Sequence, residues 1–478
     1  SMPSAAASSE RGWLAPAIAV VAAVTGLRLV ALAFNRTDLF VDEAQYWFWG
    51  QNFDFGYYSK PPLIGWLLRA VTDLAGSDAP FWVRMPGAVL HGVTALILAA
   101  LAARLADARV ALWTAAIYVT LPFVALGSLL ISTDTVMAPF YAGALLFFVR
   151  AGQGGRAGDA FAAGLCAGAA FMAKYAAVYL IPGAVLAVLV APALRPGWRN
   201  ALLMALGFGL VIAPNVAWNL THDLTTVEHT MDNVGWVRTG ANVRPGAMAE
   251  FLASQFIVFG PLTMAAFLWG LVRARTAALR ALAVFAVPPL AVVLVQSLLG
   301  KAYANWAVAT YFAGTVLAVW VMGARWRWLA LAVNLLVAVA LPMLTVLAPW
   351  PEVKGQTLLH RYLGRTAMSE QILALARAEG LPVLSDNRDV LADPFYTGRE
   401  SGVPIYAARP DGRPEHYYAQ NFALPAGFSG KLLLIATVPV DCGAGPVPPA
   451  GVLNGTGTWA GKGLTPYVIE AECLDAAD

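Results

Sequence analysis

The chain has 478 residues, of which 59% are hydrophobic and only 12% charged, and its formal net charge is +3. A soluble domain carries about 25% charged residues, so this composition excludes an ordinary cytosolic enzyme. The small net charge gives no ground for a nucleic-acid partner.

Ser1 ahead of Met2 is read as a cloning remnant and set aside. Apolar runs then fall at 13–34, 82–103, 110–130, 134–149, 158–173, 175–192, 200–217, 247–271, 279–299, 303–322 and 327–348. Most have the length of about 17–25 residues that crosses a bilayer as a helix. The first, from Trp13 to Phe34, is too long for the apolar core of a signal peptide. The pattern predicts a multi-spanning α-helical membrane protein with about eleven spans. With the N-terminus inside, every inner loop is positive: Arg104 and Arg109, Arg150 and Arg156, Arg195 and Arg199, Arg273, Arg275 and Arg280, Arg325 and Arg327. Eleven spans place the C-terminal segment outside.

Two domains are expected, a transmembrane domain over 1–350 and an extracytoplasmic α/β domain over 351–478. In the latter, 366–379 reads as a helix ending at Gly380. Strands are expected at 382–384, 403–407, 432–438 and 467–471. The outer loop 35–81 is too long for a plain linker. Asp42 is expected to cap a short helix running to Trp49. Pro61 and Pro62 open a second helix over 61–74, in which Leu63, Trp66, Leu67 and Val71 recur at helical spacing. Both helices would lie along the membrane surface.

Three acids stand at outer ends of spans: Asp42, Glu43 and Asp134. Each reads as a helix cap or first-turn acid, or as part of a shared site, and capping does not exclude catalysis. The chain has 6 lysines among its 31 basic residues. Lys354, Lys431 and Lys462 lie in the outer segment. Lys60, Lys174 and Lys301 all fall at outer ends of spans or in an outer loop, where they snorkel to headgroups or build an outward-facing anion site. Tyrosine hydroxyls and the Asn305 amide beside them suit a phosphate. Cys166 lies in a span, whereas Cys442 and Cys473 share the outer segment, where a disulfide between them can persist. The loop 218–246 carries His222, Asp223, Glu228, His229, Asp232 and Asn233. Their spacing matches no zinc or calcium pattern, and the loop reads as solvated.

Several of these features occur together in one family. Asp42-Glu43 follows the first span, Lys60-Pro61-Pro62 follows in the loop, and Thr133-Asp134 and Ala173-Lys174-Tyr175 sit at span ends. Ala213-Pro214-Asn215, Trp218-Asn219 and Asn305-Trp306 complete the set. In these residues, spread over the membrane domain, the chain resembles the multi-spanning C-type (GT-C) glycosyltransferases that use lipid-linked sugars. Those include protein O-mannosyltransferases, lipid A aminoarabinose transferases and bacterial galacturonosyl transferases of the lipopolysaccharide core.

The resemblance implies an inverting transfer of a sugar from polyprenyl (undecaprenyl-type) monophosphate to an envelope lipid, glycan or protein. The enzyme would sit in the bacterial inner membrane, with its active site and C-terminal domain periplasmic. It implies Asp42 as general base, with Glu43 and Asp134 orienting acceptor or sugar or sharing that role. Lys60, Lys174, Lys301 and Tyr58 would bind the donor phosphate. Tyr46, Tyr57 and Asn305 would contact sugar or acceptor. No cofactor is expected, no metal ligand is assigned, and no Gly-rich loop for a nucleotide occurs. Ser59 stands where the aminoarabinose transferases carry an acid, so their sugar and acceptor do not transfer to this chain. The competing reading is a lipid-phosphate flippase or transporter, which would need a charged path through the membrane. The singled-out charges gather instead at one face.

Overall fold

The computed structural model describes residues 12–234 and 243–475. The reading of Ser1-Met2, and part of the loop 218–246, lie outside the described residues. The chain forms two compact units. One comprises 1–33, 60–64 and 84–342, and the other 34–59, 65–83 and 343–478.

The first unit is helical. Among the described residues six helices are long and apolar enough to cross a membrane: Leu14–Ala33, Pro80–Leu105, Thr133–Gly154, Trp198–Thr221, Ala277–Leu299 and Ala324–Leu347. Ala108–Thr120, Ala157–Ala173, Tyr175–Val190 and Thr310–Val321 are shorter apolar helices. Two predicted runs are broken. The run 110–130 divides at Leu121 into Ala108–Thr120 and Pro122–Gly127. The run 247–271 divides into Pro245–Val258 and Pro261–Val272, bent by 112°. In each case a proline takes the first position of the new helix, where its missing N–H is no loss.

At the second break Gly260 has φ +91° and lies so close to Asn334 that a Cβ there would stand 2.5 Å from Oδ1. Only glycine meets both demands. Just before the bend, Gln255 is fully buried. Its Oε1 accepts from Tyr311 Oη at 2.5 Å, and its Nε2 donates to the Ala304 carbonyl at 2.9 Å.

The second unit carries the helix Val41–Gln51 and a four-stranded sheet. The strands lie in the order Ile405–Ala407, Val383–Ser385, Lys431–Ala436, Thr465–Glu470. The first two pairings are parallel and the last antiparallel, with Val383 opposite both Ile405 and Leu433, and Lys431 opposite Glu470. Leu384, Leu432, Tyr467 and Ile469 fill the core on one face. The helix Arg365–Glu379 ends at Gly380, whose φ of +65° suits the left-handed cap. Arg388–Thr397 follows the Val383–Ser385 strand, and Asn387 caps it by accepting from Asp389 N at 2.9 Å. Cys442 and Cys473 are disulfide-bonded beside the sheet.

Helix Val41–Gln51 packs on Arg388–Thr397. Phe48 stacks on Phe395 with ring centroids 4.7 Å apart, and Trp47 meets Tyr396 edge-on at 5.0 Å. Tyr417, Tyr418 and Phe422 close around Phe48. Such offset and edge-to-face pairs add to the gain from apolar burial, which fixes the helix's position within this unit.

Candidate active site

The sequence singles out residues that the structure gathers into two constellations, one in each unit. In the first, Thr133–Gly154 begins with Asp134 in its first turn. The expected cap is not Asp134 but Ser132, whose hydroxyl accepts from Thr135 N at 3.3 Å. That leaves the Asp134 carboxylate for long-range partners. Oδ1 accepts from Lys174 Nζ at 2.6 Å, and Oδ2 from Asn305 Nδ2 at 3.1 Å.

Lys174 follows the last residue of Ala157–Ala173 with extended backbone, and Asn305 lies in the short helical turn Ala304–Ala307. Three segments thus meet at one carboxylate. The Lys174 and Asp134 side chains are only 14% and 16% exposed, which makes this a charge-assisted bond in a low-dielectric setting. Next to it Tyr175 donates to Asn215 Oδ1 at 2.9 Å and accepts from Asn219 Nδ2 at 3.1 Å.

Behind Asp134 runs a buried polar chain. Thr135 Oγ1 lies 2.9 Å from His91 Nε2, and His91 Nδ1 lies 3.0 Å from Tyr118 Oη. Lys301 is exposed, with Nζ 4.4 Å from the Tyr303 ring centroid, a cation–π contact. Lys60 is half-buried in the same unit.

In the second unit the expected cap at Asp42 is again corrected. The helix begins at Val41, so Glu43 is the third residue after the N-cap Phe40, and its Oε1 accepts from the Phe40 N–H at 3.0 Å. Glu43 is buried, whereas the Asp42 side chain is 47% exposed. Asp42 Oδ1 accepts from Arg388 Nη2 at 2.5 Å, and Arg388 Nε donates to Gln45 Oε1 at 2.6 Å. Among the described residues only Oδ1 of Asp42 accepts a side-chain hydrogen bond, which leaves Oδ2 open. Burial alone would lower the Arg388 pKa, but the charge and hydrogen bond of Asp42, helped by Tyr418 and Tyr46, outweigh it and raise the guanidinium above its ordinary value.

Tyr46 is buried against Trp49, with ring centroids 5.2 Å apart. Tyr57 lies flat on Trp49 at 4.8 Å, and its hydroxyl donates to the Trp49 carbonyl at 2.7 Å. Tyr58 donates to the Pro414 carbonyl at 2.9 Å. These two hydroxyls clasp the loop to its own unit.

Sequence reasoning missed Arg388. A local signal existed: an arginine in the first turn of a helix opposes the helix dipole, so it needs a carboxylate partner. Among the described residues no group of three or more His, Cys, Asp or Glu side chains is arranged to hold a metal ion.

The profile of the dolichyl-phosphate-mannose-protein mannosyltransferase family matches residues 59–218, a stretch that includes Lys60, Asp134 and Lys174. Over 471 residues the chain is 41% identical to the lipid A galacturonosyltransferase RgtD of Rhizobium johnstonii, covering 95% of this chain and 98% of the relative. Among solved structures, ArnT from Cupriavidus metallidurans in its apo state gives a TM-score of 0.63 at 15% identity, covering 99% of this chain and all of that one. The same protein bound to undecaprenyl phosphate gives 0.64 at 14% identity, covering 96% and 98%. At such identity the ArnT likeness establishes the fold.

Proposed function

Because the chain belongs to the family of GT-C membrane glycosyltransferases that includes the lipid A galacturonosyltransferase of Rhizobium johnstonii, we propose that it moves galacturonic acid from polyprenyl monophosphate to a lipid A-type glycolipid. The single observation that carries this reading is the 41% identity to that relative over 95% of the chain. The chain is a membrane glycosyltransferase, and the transfer takes place at the periplasmic face of the inner membrane, with eleven spans and the 351–478 domain outside. The positive inner loops support that orientation.

The acceptor hydroxyl attacks the anomeric carbon as the bond from that carbon to the phosphate oxygen breaks, and the configuration inverts. Asp42 accepts the proton on Oδ2 while Arg388 holds Oδ1. Charge builds on the departing polyprenyl phosphate, and Lys60, Lys174 and Lys301 stabilise it because they are in place before it forms. Lys174 shares itself between Asp134 and that phosphate. Asp134 and Asn305, already bonded to each other, orient the sugar. Glu43 acts indirectly, by fixing the start of the helix that carries Asp42. Tyr46 and Tyr57 shape the sugar and acceptor surface, and Tyr58 reaches the phosphate by exchanging its Pro414 contact. No cofactor takes part in this scheme.

The test is transfer by the purified protein in lipid vesicles, given polyprenyl-phosphate galacturonic acid and lipid A, and read by mass spectrometry. The expected product is lipid A heavier by one hexuronic acid. Transfer of a different sugar, or to a protein acceptor alone, would replace this reading. Movement of the donor across the bilayer without any transfer would point to a flippase.

A further inference from the structure

The helix Leu14–Ala33 contains one charged residue, Arg28, and it is only 4% exposed. Both terminal guanidinium nitrogens, Nη1 and Nη2, are buried and have no hydrogen-bond partner among the described residues. A charged side chain within a span marks a functional element with a partner, and arginine cannot shed its proton to escape the cost. The surroundings supply further donors. Thr25 lies one turn earlier on the same helix, and its hydroxyl is also buried without a partner. Ala108–Thr120 packs against this helix. On it Thr114 is fully buried, its hydroxyl has no partner, and it stands one turn before Tyr118. Tyr118 Oη lies 3.0 Å from His91 Nδ1, and both side chains are buried. Asp134, next in the chain to the Thr135 that His91 touches, has both oxygens engaged by Lys174 and Asn305.

We infer that Arg28 is the cation of a buried anion site in the first unit, completed by the hydroxyls of Thr25 and Thr114, that takes a halide-sized anion. Hydroxyls and guanidinium N–H groups all donate, and among the described residues no carboxylate is bonded to Arg28 Nη1 or Nη2 or to the two hydroxyls. Water would satisfy the N–H groups but leave the charge uncompensated, and buried charges are paired. Arg28, Thr114, Tyr118 and His91 are all at most 4% exposed, so the enclosure suits a single-atom anion rather than a lipid headgroup. Nothing in this inference depends on which sugar or acceptor the enzyme uses.

The experiment is anomalous diffraction from crystals of the full chain with bromide replacing chloride. The expected result is a bromide peak within hydrogen-bonding reach of Nη1 or Nη2 of Arg28. A protein carbonyl or carboxylate on those nitrogens, water density alone, or a lipid phosphate there would overturn the assignment. In solution, the wild-type unfolding temperature should rise by about 1–2 °C for each tenfold increase in bromide above the dissociation constant, with gluconate as the control anion. Arg28→Met and Thr114→Val, read separately, should weaken that dependence. An identical response to bromide and gluconate in the wild type would sink the proposal, whatever the variants do.

Discussion

Arg388 and Asp42 stand 346 residues apart in the chain and 2.5 Å apart at Nη2 and Oδ1. The same guanidinium holds Gln45 through Nε, so one planar group fixes two side chains of the Val41–Gln51 helix. Replacing it with glutamine should lower kcat for transfer by roughly 5–30-fold, the worth of about 1–2 kcal/mol for a charge-assisted bond between partly exposed groups. Arg388→Lys should recover part of that loss, since an ammonium reaches the carboxylate but cannot also span to Gln45. Steady-state kinetics on the two variants is the check. Equal activity in all three proteins would remove Arg388 from the mechanism.

Asp42→Asn should preserve folding and donor binding and cut transfer by about 10²–10⁴-fold, as loss of a general base does. Donor retention measured by equilibrium binding, together with single-turnover transfer, separates this from a binding defect. Wild-type turnover would exclude Asp42 as the base.

The Asp134–Lys174 pair calls for a double-mutant cycle. Breaking one partner of a largely buried pair leaves the other charge uncompensated. Lys174→Met or Asp134→Asn alone should therefore destabilise the protein by about 2–4 kcal/mol. The double variant should regain much of that stability, because neither charge remains. Transfer should stay low in all three. Additive stability losses, measured by thermal unfolding, would show that the pair contributes no coupling.

Gly127 offers a test of the buried chain behind Asp134 without touching its members. A Cβ there would stand 2.6 Å from His91 Nε2 and 2.8 Å from Thr135 Oγ1. Gly127→Ala should break the His91–Thr135 bond and cost about 1–3 kcal/mol. It should also lower transfer, since Thr135 adjoins Asp134. Full stability together with full activity would show that the His91–Thr135 contact constrains nothing.

His416 gives the second unit a pH dependence. Its Nδ1 accepts from Ala419 N at 3.0 Å, and Nε2 lies 3.0 Å from the Asp386 carbonyl, so the neutral ring satisfies both partners. Burial, opposed by the Asp386 carbonyl and reinforced by Arg388, lowers its pKa below the ordinary 6.5. The folded state therefore resists protonation. Stability is full above about pH 6.5 and falls as the pH drops below it, where the unfolded chain takes up the proton first. Hydrogen exchange over 417–421 at pH 7.5 and 5.5 should show faster opening at the lower value. His416→Asn, which keeps a capping acceptor, should show less of this change.

The predicted strands at 382–384, 403–407, 432–438 and 467–471 lie within two residues of the observed ones, because β-branched and aromatic runs between turn residues are a local signal. The predicted helix 366–379 coincides with Arg365–Glu379 for the same kind of reason. Every apolar run also contains helix, but the bend at Phe259 and Gly260 left no mark in hydropathy, because both sides of it are equally apolar. Asp134, Lys174 and Asn305 are each singled out as members of a site, but the direct bonds among them are not predicted. A contact between residues 40 and 171 positions apart leaves no periodicity to read. Arg388 and the aromatic packing of Phe48 on Phe395 escaped for the same reason.

The bent pair of helices has a mechanical consequence. Gln255, just before the bend, grips the Ala304 carbonyl, and the next residue in the chain is the Asn305 that touches Asp134. The short turn carrying Asn305 is thus tethered to the broken helix by one amide. A shift of Pro245–Val258 by even a fraction of a hydrogen-bond length would be passed to the carboxylate, as a strut passes load to a joint.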